Sequence, residues 1–157
     1  MKSSDAPPPL YTPESIAHCR QQDALGFLVV QAKHRLGHLM EQELEALDLT
    51  SAQFSVLIHL FHQKAIAPAE FCRLLDYDPG AMTRLLDRIE KKGFIRRTPH
   101  PHDARSILIE LTESGRELYP LILPRVSNTY NRLLTGFTRE EARQLEHLLR
   151  RILQNGH

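Results

Sequence analysis

The sequence predicts a mainly α-helical domain with a single two-stranded hairpin placed late in the chain. Three observations carry this. Apolar residues recur at helical steps along most of the chain, and capping signatures mark where several runs begin. Only Ser106 to Leu111 alternates in the manner of a strand, with Ile107, Ile109 and Leu111 on one face. Long apolar stripes also flank this region on both sides.

The 157 residues suit one domain of ordinary size, and 41% hydrophobic with 25% charged residues supports a packed core. Twenty Lys and Arg against nineteen Asp and Glu leave a net charge of +1, so any nucleic-acid contact must come from local clustering. No apolar run reaches the roughly 18 residues of a membrane span, and MKSSDAPPPL lacks the apolar stretch of a secretory signal. Cys19 and Cys72 are the two cysteines, too few for a disulfide framework, and a reducing cytoplasm is the expected setting.

Residues 1–13 are polar and proline-rich, and 1–19 form an N-terminal arm. From Gln21 to Leu47 a helix stripe runs through Leu25, Leu28, Ala32, Leu36, Leu39, Leu44 and Leu47, widened by Val29 and Met40. Its acidic end, Glu41, Glu43, Glu45 and Asp48, belongs away from phosphates. Thr50-Ser51-Ala52-Gln53 is a capping box; the helix after it is expected to bury Phe54, Leu57, Ile58 and Phe61 and to end near Gln63-Lys64. Pro68 opens a short helix with an apolar face of Phe71, Leu74 and Leu75. Asp78 caps the next, with Pro79 in its first turn and Gly93 at its C-terminal stop. This helix turns Met82, Leu85, Leu86 and Ile89 inward and Thr83, Arg84, Asp87, Arg88 and Lys91 outward.

Phe94 to Arg97 reads as a strand, Thr98 to Arg105 as an eight-residue polar loop, and Ser106 to Leu111 as the return strand. Thr112 caps a helix through Leu118, Leu121, Ile122, Val126, Tyr130 and Leu133, bent or broken by Pro120 and Pro124. Thr138-Arg139-Glu140-Glu141 opens the last helix, with Ala142, Leu145, Leu148, Leu149, Ile152 and Leu153 on one side. Three short helices followed by a two-stranded ribbon make a winged helix-turn-helix. The expected division is a winged-helix DNA-binding lobe over 50–111 and dimerisation helices over 20–49 and 112–157.

Charge concentrates between Arg84 and Arg105, where Arg84, Arg88, Lys91, Lys92, Arg96, Arg97 and Arg105 face only Asp87, Glu90 and Asp103, a local excess of +4. The first turn of a recognition helix meets base edges, which nominates Gly80, Ala81, Thr83 and Arg84. Arg84 has the geometry for a bidentate contact to guanine, while Arg88 and Lys91 are placed for phosphates. A solvated charged face is the plainer reading of the same pattern.

The run from Asp78 to Arg97 resembles the recognition helix and first wing strand of MarR-type regulators. Asp103-Ala104-Arg105 and Leu111-Thr112-Glu113-Ser114-Gly115 are similar to that family's D-x-R and L-T-x-x-G elements. The motifs cover about 78–116, and the helix order extends the likeness to about 20–154. The resemblance implies a cytoplasmic homodimer on an inverted repeat of double-stranded DNA, usually a repressor released by a small aromatic or lipophilic ligand. It also implies that Arg105 enters the minor groove and that Asp103 orients the wing arginines by ion pairing. The family often has D-R-R here; Ala104 leaves one cation fewer, and Arg97, His100 and His102 complete the wing's candidate contacts.

The family's effector crevice lies between the dimer layer and the DNA-binding lobe, which nominates Phe27, His34, Phe54, Ile58 and Arg73; each reads equally as core or surface. Alternatives are a metal- or thiol-responsive regulator or a winged-helix protein-interaction module. His34/His38 and His59/His62 have helical spacings suited to a metal, although two ligands do not make a site. Cys19 sits between His18 and Arg20, whereas Gly26 stands where peroxide-sensing relatives carry cysteine. No phosphate loop, nucleophile elbow or metal-hydrolase motif is present, so neither an enzyme nor a resident cofactor is expected.

Overall fold

The computed structural model describes residues 9–63 and 66–155. Most of the proline-rich arm, Lys64, Ala65 and the last two residues lie outside them. Eight helices and one antiparallel ribbon run in order: α1 (Pro13–Ala17), α2 (Leu25–Leu44), α3 (Ser51–His62), α4 (Pro68–Leu75), α5 (Pro79–Lys91), β1 (Ile95–His100), β2 (Asp103–Leu111), α6 (Glu113–Glu117), α7 (Tyr119–Leu133) and α8 (Arg139–Gln154). The fold is a winged helix-turn-helix.

Local chemistry accounts for most boundaries. Thr50 and Gln53 close a reciprocal capping box on α3, and Thr138 and Glu141 do the same on α8. Asp78 caps α5 by accepting from the Ala81 N–H at 2.9 Å. At its other end Gly93 adopts φ +81°, and the Gly93 and Phe94 amides donate to the Glu90 and Ile89 carbonyls, a Schellman stop that only glycine enters without strain.

Several expectations need correction. The arm is not irregular throughout: Thr12 and Ser15 form a capping box, with Pro13 in the first turn, and nucleate α1. The first long helix begins at Leu25 after a 3-10 turn over Gln21–Asp23 and ends at Leu44, before a second over Glu45–Leu47. In α3 the buried face is Gln53, Val56, Leu57 and Leu60, with Phe54, Ile58 and Phe61 half-buried on its flank. The face turns because this helix packs against both the lobe and α7, where Phe61 meets Tyr119 at 4.7 Å between ring centroids. Leu74 is exposed on α4, leaving Phe71 as that helix's buried anchor.

The eight-residue loop is also shorter than expected. Strand pairing continues to His100 and resumes at Asp103, so only Pro101 and His102 form the tip. Pro99 pairs with Ile107, a position a ribbon tolerates because one edge of each strand has no partner, and the register slips between Pro99 and His100. Ile107 is exposed, unlike Ile109 and Leu111, because the ribbon projects past the core there. Ile66 adds an isolated bridge to Ile109, with both backbone bonds formed, and ties the α3–α4 connection to β2. The segment after Thr112 breaks at Leu118, two residues before Pro120, and Pro124 lies inside α7.

The core gathers Leu44, Val56, Leu57, Phe71, Met82, Leu86, Ile89, Ile95, Ile109 and Ile122 from α2 through α7. α7 packs along α2, where Arg132 donates to Glu43 at 3.0 Å and to Gln42 at 3.0 Å. The N-terminal half of α2 and all of α8 bury no residue in the single chain: Leu25, Leu28, Leu148 and Leu149 remain exposed.

The Leu-Thr-x-x-Gly element closes the root of the wing. The Thr112 N–H donates to the Phe94 carbonyl at 3.1 Å, and its hydroxyl donates to the Gly93 carbonyl at 2.6 Å while accepting from Gly115 N–H at 3.0 Å. A Cβ on Gly115 would fall well inside contact distance of the Phe94 carbonyl group and 3.1 Å from Leu111. Gly115→Ala should therefore destabilise the fold by about 1–3 kcal/mol, seen as a lower urea midpoint at unchanged slope.

Candidate nucleic-acid interface

Packing the apolar face of α5 into the core leaves its opposite side as a free surface. Gly80, Thr83, Arg84, Asp87, Arg88 and Lys91 are exposed, with Ala81 half-buried beside them. Gly80 carries no side chain over the first turn, where the backbone can approach a partner closely. The Thr83 hydroxyl donates to the Pro79 carbonyl at 2.8 Å, so it presents a lone pair and a methyl outward. Arg84 folds back over the same turn: its Nη1 lies 3.7 Å from where a Cβ of Gly80 would stand.

The seven cations between Arg84 and Arg105 divide into two groups. Three are held by carboxylates or carbonyls. Lys92 reaches the Asp48 carbonyl, the Asp48 carboxylate at 3.1 Å and Gln53 Oε1 at 3.1 Å, pinning the end of α5 to the α2–α3 junction. Arg96 pairs across the ribbon with Glu110 at 3.0 Å. Arg97 pairs with Glu90 and with Asp87 at 2.5 Å, and its N–H donates to Glu90 at 3.1 Å. Arg84, Arg88, Lys91 and Arg105 have no carboxylate partner among the described residues. The free cations therefore lie along one face of α5 and on the wing.

Through these bonds the Arg97 guanidinium ties β1 to α5. Asp103 departs from expectation: it accepts from Arg105 N–H at 3.0 Å and from the Ser106 hydroxyl at 2.6 Å and pairs with no arginine among the described residues. It shapes the start of β2 through the backbone instead. The Ser106 hydrogen bond first, and then the Arg105 amide, hold its carboxyl below the ordinary range, with the nearby His100 adding to the effect. At the tip, His102 N–H donates to His100 Nδ1 at 3.2 Å.

The effector candidates do not converge. Phe27 lines a shallow hollow with Arg20, Gln21 and Gln22; His34 and Arg73 are exposed, and Phe54 and Ile58 flank α3. A different cavity of about 370 Å³ opens between the end of α3 and the start of α7, lined by Phe61, His62, Leu111, Arg116 and Tyr119 among others. Its Phe61–Tyr119 contact joins two elements far apart in sequence, so no spacing rule points to it. Among the described residues no three His, Cys, Asp or Glu side chains converge to hold a metal. His38 is instead bonded by Gln42 Nε2 at 3.0 Å. Cys19 is exposed, and Cys72 is partly buried against the core. No described helix is long and apolar enough to cross a membrane.

A recognition-type helix with a free cationic face, followed by a charged two-stranded wing, defines the class of winged-helix DNA-binding proteins. Comparison with known proteins narrows this class. A sequence model described as the MarR family matches residues 49–107. The Escherichia coli "Multiple antibiotic resistance protein MarR" is 35% identical over 130 residues, covering 82% of this chain and 90% of that protein. The "Transcriptional repressor MprA" of the same organism is 30% identical over 135 residues, covering 85% and 77%. A solved mutant of the E. coli MarR, complexed with operator DNA, superposes with a TM-score of 0.76 at 35% identity, covering 82% of this chain and 93% of that one. The wild-type apo form gives 0.74 at 34% identity, covering 83% and 97%. The chain belongs to the MarR family of winged helix-turn-helix transcription regulators.

Because Arg97 is braced and Arg105 is free, their substitutions should differ in kind. Arg97→Ala should lower unfolding free energy by about 1 kcal/mol, whereas Arg105→Ala should leave it within about 0.5 kcal/mol of the parent; urea denaturation of both variants measures this.

Proposed function

We propose that this protein is a cytoplasmic homodimeric repressor that binds an inverted repeat of double-stranded DNA and is released by a small aromatic or lipophilic effector. The observation that carries the DNA reading is that Arg84, Arg88, Lys91 and Arg105 have no carboxylate partner among the described residues, in a chain whose other cations in that region are paired. Each subunit lays the exposed face of α5 in a major groove. Gly80, Ala81, Thr83 and Arg84 meet base edges, Arg88 and Lys91 meet phosphates, and Arg105 reaches the minor groove with His100 and His102 beside it. Asp103 contributes by shaping the wing backbone, and Arg97 by holding the wing to the helix.

The uncovered apolar residues of α2 and α8, notably Leu25, Leu28, Val29, Leu148, Leu149 and Ile152, support a second copy as the occupant of that surface. Two-fold pairing would present two recognition helices about one helical turn, ~10 bp, apart. We assign 20–49 and 112–157 to pairing and 50–111 to the DNA-binding lobe. The cavity at Phe61, Arg116 and Tyr119 suits the effector better than the five residues nominated from the sequence. It offers an aromatic wall and a guanidinium without a carboxylate partner among the described residues, and it lies where the lobe meets the dimer helices. An effector there acts by binding one spacing of the two lobes more tightly than the other.

Selection of duplexes from a random pool should enrich a palindromic site, and light scattering should give twice the chain mass. On that site Arg84→Ala should flatten base preference at one position, losing about 1–3 kcal/mol of discrimination, whereas Arg105→Ala should weaken binding to all sequences. Failure to enrich any palindrome, or equal base-independent losses from both variants, would contradict the assignment.

A further inference from the structure

The tip of the wing carries two imidazoles that the proposed binding mode leaves without a defined chemistry. The shortened turn brings them together: His100 ends β1, His102 lies in the two-residue turn, and their ring centroids are 6.1 Å apart in an edge-on arrangement. The contact between them depends on protonation. His100 Nδ1 accepts the backbone N–H of His102, which requires an unprotonated nitrogen at that position. A proton on Nδ1 converts this acceptor into a donor, breaks the turn hydrogen bond and leaves an imidazolium with two N–H groups to direct elsewhere.

We propose that His100 and His102 form a proton-coupled phosphate contact, taking up protons when the wing lies against a nucleic-acid backbone. The inference rests on the wing meeting DNA as set out above. Asp103, paired in register with His100, accepts from the Arg105 amide and the Ser106 hydroxyl and also attracts a charged His100. A phosphate at the tip adds further attraction for charged rings. Toward the root, Arg96 is balanced by Glu110, and Arg97 is paired with both Glu90 and Asp87, so that cluster adds no free cation. The Ala104 departure from the family's D-R-R pattern has removed a permanent cation from this strand, and the two histidines offer a conditional replacement.

The sign follows from linkage. A proton taken up on binding strengthens the complex at low pH, and the gain disappears as pH rises through the imidazole range, changing affinity by up to about tenfold per pH unit for each proton. Each added cation also releases counterions, making the slope of log affinity against log salt steeper by about 0.9.

The test uses the full chain and a fluorescent mixed-sequence duplex of about 30 bp, because phosphate contacts are sequence-independent. Binding is titrated from about pH 5.5 to about pH 8 at several salt concentrations. The parent should tighten by about ten- to a hundredfold toward the acid end, with a steeper salt slope. His100→Gln/His102→Gln, which keeps hydrogen-bonding groups but cannot titrate, should lose most of both effects. Equal pH dependence in parent and variant overturns the proposal, as does a parent salt slope that does not change with pH. Arg105→Ala separates the two levels. If it weakens binding at every pH while the histidine variant behaves as the parent does, the wing meets DNA and only the proton coupling fails. If Arg105→Ala changes nothing, the wing reading itself fails, and the inference with it.

Discussion

The close approach of α6 to the backbone at Phe94 determines how the whole molecule is joined. Gly93 ends the recognition helix, Phe94 begins the wing, and Gly115 opens the return to the long helices. All three meet at one junction, with the Thr112 hydroxyl bridging Gly93 and Gly115. No side chain fits at Gly115, so the first turn of α6 can press directly on the Phe94 carbonyl. That contact sets the wing relative to α5 and both relative to α7. The five-residue Leu-Thr-x-x-Gly element thus holds α5, the ribbon and α7 in one frame.

A second constraint is electrostatic. The chain is almost neutral overall, yet it must present a cationic face to a polyanion. It does so by allocation rather than excess. Lys92, Arg96 and Arg97 are consumed in holding α5, β1 and β2 together, and the carboxylates that hold them are thereby removed from the path of DNA. Arg84, Arg88, Lys91 and Arg105 keep their charge for the outside. The buried end of the Lys92 contact, Gln53, serves two roles at once: it completes the α3 capping box and accepts from the lysine. The segment after α2 is joined to the end of α5 through this point.

The apolar surface left bare on α2 and α8 fits the same scheme. Leu25 and Leu149 take no part in the core gathered from α2 through α7, and leaving both in water in a lone subunit is costly. In the proposed dimer, pairing removes that surface from solvent while fixing the distance between two recognition helices, so that stability and function would depend on one interface.

Much of this was written in local chemistry. The capping boxes at Thr50 and Thr138, the Asp78 cap, the Gly93 stop and the inward set Met82, Leu85, Leu86 and Ile89 each follow from interactions within one helix turn, and they were readable because such interactions depend only on near neighbours. The free cations of α5 were legible for the same reason. What no local rule supplied were the contacts between distant segments: which arginines would be neutralised, how far the ribbon would extend past Pro99, the Ile66–Ile109 bridge, and the meeting of Phe61 with Tyr119. Sequence spacing states which face a side chain occupies, but only the packed chain decides which partner waits there, because the energy of an ion pair or an aromatic contact depends on distances that the chain closes late.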